Sequence, residues 1–505
     1  MKRQFRWRRP VRSVVLIEPR SPGYHVYSMI HLPRLGLPIL GAILKRAGYD
    51  VTILHEETHS LDFDLITRAD LVGISTITST TPRGYALADA IRSSTGVPVF
   101  MGGPHVTFCY EEALNYCDFV FRGEPEYVIL DFMEALNAGE GFDRIPGLCY
   151  RDGDRIVVHP QRPIVTRMET IPDPDFSLYP SLPFQSVAPL MTSRGCPYDC
   201  EFCSVTAMFG RQFRTLSIDR VIAGLHHLQE LGCRHVFFYD DIFNANPNRL
   251  KTLLRRMIQE NIRLKWGAQV RVEIGRDPEL LELAAASGAE IFYIGFESIN
   301  PETLKAFNKK QTLEDIIRAI EAIRRWNISI HGMFVIGSDA DTPDTADRTV
   351  DFALEHRINT IQLMILVPIP GTRLYDAMER EGRILYRDWT RYDGHSVVFQ
   401  PKRMTPEELQ QSVMRAMRRF YSLPRALASL LQMQVRTAAF RIVGRQLIRQ
   451  WLRDNREWIR RVGELADTYM QELQEWTRPI QQLRDEWARV IQHHIYGTTQ
   501  AFNPR

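Results

Sequence analysis

The chain has 505 residues, of which 44% are hydrophobic and 24% charged, with a formal net charge of +3. That is the composition of a soluble globular protein, and the length exceeds one ordinary core, so two or three domains are expected. The seven cysteines are odd in number and Cys109, Cys117, Cys149 and Cys233 are scattered singly, which excludes a disulfide framework and points to a reducing compartment. The first twelve residues, MKRQFRWRRPVR, are strongly basic, but the apolar run behind them, VVLIEP, is too short for a signal peptide. No later segment approaches a membrane-spanning length, so a cytoplasmic protein is expected.

In chain order, VRSVVLIEP, DVTILHE, DLVGISTIT, VPVFMGG and FVFRGE read as strands, and LPILGAILKRAG, RGYALADAIRSS and PEYVILDFMEAL as helices, the first stopped at Gly48. Apolar strands alternating with helices predict a doubly wound parallel sheet covered on both faces. Ligands of such sheets sit beyond the carboxyl ends of the strands. Those ends carry SPGYH, STITSTTP, GGPHVT and RGEPE, rich in glycine, hydroxyls and histidine. Each alone reads as an ordinary turn; four on one edge favour a ligand.

GLCYRDGDRIVVHP predicts a β-hairpin turning at Asp152-Gly153. The Pro-rich stretch IPDPDFSLYPSLPF (171–184) reads as a linker. A second alternation follows, with strands SVAPLMTSRG, HVFFYDD, LKWGAQVR, EIFYIGF, ISIHGMFVIG and INTIQLMILVP separated by helical patterns. Six units predict a partial (β/α)6 TIM-like barrel, since a complete barrel takes roughly 250 residues. From about 404 the pattern is helical only. The expected domains are 10–165, 170–400 and 404–505.

Just after the first barrel strand, MTSRGCPYDCEFCSVTAMFG places Cys196, Cys200 and Cys203 within eight positions. Barrel active sites are built at that carboxyl end. Structural zinc takes four protein ligands, usually as two separated pairs, and no second pair is present. Iron–sulfur clusters also usually take four cysteines. Three in one loop leave a metal position open, as a catalytic site requires; three buried or incidental cysteines are the competing reading.

The spacing C-x3-C-x2-C, with Phe202 immediately before the last cysteine, resembles the signature of radical S-adenosylmethionine enzymes. The resemblance implies that Cys196, Cys200 and Cys203 bind three irons of a 4Fe-4S cluster. S-adenosylmethionine would chelate the fourth iron through its amino and carboxylate groups. One electron, from a donor such as flavodoxin or ferredoxin, would cleave the sulfonium to a 5′-deoxyadenosyl radical. Tyr239, Asp240 and Asp241 stand where relatives hold the methionine amino end, and a carboxylate there complements an ammonium. Arg271 and Glu297 are implied partners of the methionine carboxylate and the ribose. GMFVIG (332–337) resembles the segment lining the adenine, and VPIPGT (367–372) the sixth-strand exit. GSDADTPDT replaces the Pro-Gly-Glu-Thr turn of many relatives.

The first domain resembles the cobalamin-binding domain that precedes many such cores, through its hydroxyls (Ser75, Thr76), its GGPH loop (Gly102, Gly103, His105) and its RGEPE segment (Glu124). The two resemblances cover about residues 10 to 385. The D-x-H-x-x-G motif that gives other cobalamin domains an axial histidine is absent, so cobalt would lack that ligand. His25, His31 and His105 lie in candidate loops, where a histidine is more often a hydrogen-bonding residue than a metal ligand.

Residues 411–461 hold twelve arginines and only Asp454 and Glu457 as acids, an excess of ten positive charges. Arg441, Arg445, Arg449 and Arg453 form one helical stripe, and Leu427, Leu431, Val435, Ala438 and Ile442 an apolar one. Such a segment either caps the barrel or lies peripherally on an anionic membrane, with Leu447, Ile448 and Trp451 adding apolar burial. RNA binding ranks third, because no stacking-aromatic module accompanies the charge. A membrane contact would let a barely water-soluble substrate partition from the bilayer into the barrel mouth. The family resemblance implies a cobalamin-dependent methyltransferase acting on an unactivated carbon, here expected on a lipid-like substrate such as a polycyclic terpenoid. The alternatives are a cyclase with the same cofactors, as in anaerobic magnesium-protoporphyrin ester cyclases, and a non-catalytic corrinoid carrier, which would not need the cysteines. Radical methylthiotransferases carry a second cysteine triad, and none exists here.

Overall fold

The computed structural model describes residues 10–21, 23, 32–161, 168–181, 184, 187–462 and 478–496; His25 and His31 lie outside them. The first sheet contains β1 (Ser13–Glu18), β2 (Asp50–His55), β3 (Leu71–Ser75), β4 (Val99–Gly102), β5 (Phe119–Phe121), β6 (Leu148–Asp152) and β7 (Arg155–Val158). Their order is β2-β1-β3-β4-β5-β6-β7, parallel through β5 and antiparallel at β6 and β7. Strands such as SVVLIE are buried almost end to end because helices Gly36–Arg46, Thr81–Thr95 and Ile129–Ala138 cover both faces. The hairpin forms as expected, but Asp152 pairs with Arg155, so its two-residue turn is Gly153-Asp154.

The second sheet contains β8 (Val187–Leu190), β11 (His235–Phe238), β12 (Lys265–Val270), β13 (Ala289–Glu297), β14 (Ser329–Ile336) and β15 (Thr360–Ile365), all parallel, in the order β15-β14-β13-β12-β11-β8. Strands β8 and β15 are unpaired edges, so the barrel is split. Between β8 and β11 a short ribbon joins β9 (Ser193–Arg194) to β10 (Arg214–Thr215). Several helices of this half start on side-chain caps: Ser217, Asn246, Asp277, Thr312 and Thr372 each accept from a backbone N–H one turn on. Pro247 and Pro278 follow their caps at the position where a missing N–H costs nothing. In the SDAD turn after β14, buried Asp341 accepts from the backbone N–H groups of Gly337 and Ser338, each at 2.9 Å, and from Thr303 Oγ1.

The described part of the Pro-rich stretch, 171–181 and 184, is packed rather than free. Leu178 and Tyr179 join the first core, Phe184 joins the barrel core, and Asp175 pairs with Lys45 at 2.8 Å. The helices beyond 404 divide between two hosts. Helix Pro406–Phe420 and helices Val435–Asp454 and Arg456–Arg461 lie on the barrel, feeding Phe420, Ile448, Trp451 and Trp458 into its core. Helix Arg478–Tyr496 returns to the first sheet, where Ile480, Trp487 and Ile491 enter that core and Arg83 sits 4.7 Å from the Trp487 ring centre.

Two expectations for the basic segment are corrected here. Ile448 and Trp451 are buried in the protein and unavailable to a bilayer. Arg441 leaves the arginine stripe: it is buried, donates to Arg425 O and Ser429 Oγ at 2.9 Å each, and lies over the Phe420 ring. Among the described residues no helix is long and apolar enough to cross a membrane.

Candidate active site

The cysteine loop leaves the β9 end through Gly195, whose φ of +87° and closeness to Gln212 (a β-carbon would fall 2.3 Å from its carbonyl oxygen) admit only glycine. Asp241 Oδ2 accepts the Gly195 N–H at 2.7 Å. From one side, Glu201 N donates to Phe307 O, Asn308 Nδ2 donates to Asp199 O at 2.7 Å, and Phe307 packs edge-on against Phe202 at 5.0 Å. From the other, Arg373 pairs with Asp199 and Glu201 at 2.8 Å each, and Leu374 N donates to Glu201 O. Loops from the two unpaired edges thus meet over the split barrel. Burial pushes all three thiols up, Cys203 to about 12, so the metal-free loop holds protonated thiols and metal must displace protons. Among the described residues no three His, Cys, Asp or Glu are arranged so as to hold a metal ion. Three soft donors in one loop, with the cations Lys309 and Arg271 beside Cys200, suit an anionic iron–sulfur cluster.

Around this loop the expected residues separate. Asp240 is buried, with Oδ1 accepting from Thr192 N and Ser193 N and Oδ2 from the hydroxyls of Thr192 and Ser193. Its four acceptor sites are filled, so it ties β8 to β11. Asp241 keeps acceptor capacity beside Cys196. Arg271 pairs with Glu273, donates to Lys309 O at 2.6 Å, and lies 3.7 Å from the Tyr198 ring centre. Glu297 sits at a bulge in β13 with φ +62°, a costly conformation for a side chain, and pairs with buried Lys309 at 2.6 Å. Lys309 and Asn308 were not among the sequence candidates; the run AFNKKQ has no periodicity to mark it.

The carboxyl ends of the first sheet face this loop. Glu124 is half-buried and pairs with two barrel arginines: Arg194, at one oxygen, and Arg214, at the other, 2.8 Å away; Arg194 also reaches Glu126 at 2.9 Å. Tyr239 at the β11 end packs against Leu35 and Ile39, beside the Arg34–Glu18 pair at 2.8 Å. Ser75 O accepts from Arg34 Nη2. Thr76 is fully buried with an unpartnered hydroxyl, and Gly103 (φ +108°) lies so near that a β-carbon would fall 2.2 Å from Thr76 O. A β-carbon at Gly102 would meet nothing within 4 Å. An orphan hydroxyl beside open glycine backbone suits a corrin edge. His105 is turned inward against Trp389 (4.8 Å) and Tyr85, with neither ring nitrogen hydrogen-bonded, and burial lowers its pKa to about 3.

Trp389 carries a second tie across the interface, donating from Nε1 to Glu112 at 2.9 Å. Burial pushes the Glu112 carboxyl up to about 7 from 4.5. The folded state therefore holds a proton that the unfolded state releases, and stability falls as pH rises from 4.5 through 7. Glu112→Gln keeps the acceptor for Trp389 and cannot ionise. It is expected to be more stable than the native chain at pH 8 by roughly 2 kcal/mol and equal to it in mild acid. Denaturant unfolding at several pH values checks this, and parallel pH profiles for the two proteins would refute it.

Residues 190–353 match the radical SAM superfamily and residues 30–132 the B12 binding domain. An uncharacterized methyltransferase of Pyrococcus horikoshii is 32% identical over 413 residues, 78% of this chain and 89% of that protein. The anaerobic magnesium-protoporphyrin IX monomethyl ester cyclase of Cereibacter sphaeroides is 27% identical, covering 77% and 67% of the two chains. The hopanoid C-3 methylase of Methylococcus capsulatus is 26% identical, covering 78% of each. The fold is that of the cobalamin-dependent S-adenosylmethionine radical enzyme OxsB, with TM-score 0.64 at 16% identity over 95% of this chain and 84% of that one. The chain belongs to the cobalamin-dependent radical S-adenosylmethionine family and is an enzyme. Its cofactors are a 4Fe-4S cluster and S-adenosylmethionine on the barrel and cobalamin on the first domain.

Proposed function

We propose that the enzyme methylates an unactivated carbon of a lipid-like substrate, such as a polycyclic terpenoid, held between the carboxyl ends of the two sheets. The observation that carries this reading is the shared interface: the cysteine loop and the glycine-rich edge of the first domain are tied together by Glu124, Arg194 and Arg214. When bound there, the cluster with S-adenosylmethionine supplies hydrogen abstraction and cobalamin supplies the methyl group. Cys196, Cys200 and Cys203 hold the cluster, and Phe202 supports their loop against Phe307. Asp241 offers its free acceptor sites to the methionine ammonium, with Tyr239 and Asp240 fixing it in place. Arg271 takes the methionine carboxylate and Glu297 the ribose. Ser75, Thr76, Gly102 and Gly103 bind the corrin, while His105, packed away from the edge, supports its floor and is not itself a ligand to cobalt. Glu124 acts through the domain clamp.

The domain division is read as 10–165, 170–400 and 404–505, with 478–496 serving the first. The electron comes from a flavodoxin- or ferredoxin-type donor. The protein is cytoplasmic and meets a membrane peripherally through 411–461; RNA binding by the same arginines ranks behind that contact. Similarity to the cyclase supports a second reading in which the same cofactors act without methyl transfer. Anaerobic incubation with deuterated-methyl S-adenosylmethionine, reductant and cell extract decides between them. A product bearing the deuterated methyl is expected. Formation of 5′-deoxyadenosine with a product that lacks the label would establish the cyclase-type reading instead.

A further inference from the structure

Helices Leu423–Leu431 and Val435–Asp454 form a hairpin whose turn carries Met433 at φ +60°. Its inner side is closed by Ala426, Ser429, Thr437, Ala438 and Arg441, all buried. Its outer side shows an unusual run of exposed apolar groups: Leu431 is 87% exposed and Met433 85%, flanked by Leu427, Val435, Phe440 and Ile442. A soluble surface rarely leaves so many large apolar side chains together.

The place of the hairpin in the fold is unambiguous. Thr437 Oγ1 accepts from Asn359, just before β15; Tyr421 OH bonds the backbone of Ile361; Arg436 pairs with Glu290 at the start of β13 at 2.7 Å. All three mark the amino ends of the strands. Helix Val435–Asp454 then runs up beside β15, reaching the upper loops where Asn455 meets Arg391. The tip therefore projects from the foot of the barrel, about 25 Å from the carboxyl ends, by the rise of the nine-residue β13. A substrate leaving a bilayer at this tip would have no direct path into the barrel mouth.

Resting on the peripheral-contact reading above, we propose that this hairpin tip is the membrane anchor, seated in an anionic bilayer with the barrel's foot down and its mouth toward water. Charge selects this occupant. Arg425, six residues from Leu431 on the same helix, and Arg418 carry no ion pair among the described residues, and no acid lies between 411 and 453. A second copy docking on the same tip by two-fold symmetry would face these arginines with their own images. A bilayer surface supplies apolar depth at the tip and phosphates at its rim.

Full-length protein is tested by co-sedimentation with phosphatidylcholine vesicles, with and without phosphatidylglycerol. Binding is expected only with the anionic lipid and is expected to weaken at high salt. The double variant L431E/M433E touches only exposed side chains and is expected to lower partitioning at least tenfold. A Met433→Trp variant is expected to shift its fluorescence to the blue on vesicles and to be quenched by brominated lipid. Wild-type binding by L431E/M433E would overturn the anchor while keeping the membrane reading, through another surface such as the basic residues 1–12. No binding of the full chain to anionic vesicles overturns both. A concentration-dependent dimer that L431E/M433E dissolves assigns the tip to a second copy and overturns the anchor. Methyl transfer, read separately from labelled product, fails or succeeds independently of all three.

Discussion

Cys200→Ala is expected to abolish reductive cleavage of S-adenosylmethionine while leaving the fold intact. The neighbouring backbone is held by groups the substitution does not touch: Asp199 O by Asn308 and Arg373, and Glu201 by Phe307 and Leu374. The variant therefore loses one metal ligand with little loss of loop geometry, which separates ligation from folding. Native protein reconstituted without oxygen is expected to hold about four irons and four sulfides. The variant is expected to hold less iron, and to release no 5′-deoxyadenosine when reduced with S-adenosylmethionine. Cys196→Ala and Cys203→Ala are expected to behave alike. Release at the native rate from Cys200→Ala would remove the assignment of the triad.

Glu124→Ala is expected to be the most destabilising single change at the domain interface. Each Glu124 oxygen meets a different guanidinium, and the side chains of Arg194 and Arg214 are only 9% and 2% exposed. Removing the carboxylate takes a counter-charge from two buried cations, and breaking a buried pair in this way costs about 3–5 kcal/mol. Arg194 retains Glu126, so the lower end of that range is the better expectation. Because Arg194 directly precedes Gly195 and Cys196, iron incorporation is expected to fall as well. Glu124→Gln keeps the shape and one acceptor and is expected to lie between. Anaerobic denaturant unfolding of the cofactor-free protein reads the effect. A cofactor-free Glu124→Ala protein as stable as the native chain, with weakened corrinoid binding, would instead make Glu124 a cofactor ligand.

Periodicity in the sequence determined the strands and helices of both sheets, because apolar spacing reports which side of an element is buried. The cysteine spacing likewise announced an incomplete metal site without any tertiary information. What neither could report is the partner that covers each face. The RGEPE resemblance marked Glu124 as a cofactor-binding candidate, and only the chain path brings Arg194, seventy residues on, to its carboxylate. Asp240 and Asp241 are adjacent in sequence, yet the pleat turns one into four hydrogen bonds with Thr192 and Ser193 and the other toward Gly195. The arginine stripe is regular in sequence, but Arg441 lies on the side that meets Phe420, and Trp451 on the side that meets His395. Helix Arg478–Tyr496 reads as one more amphipathic segment after 404, and only the fold returns it to the first domain. Local pattern decides how an element is built, because its hydrogen bonds and apolar stripe are its own. Long-range partners decide what its polar groups do, because a buried charge is settled only by the group the tertiary structure places against it.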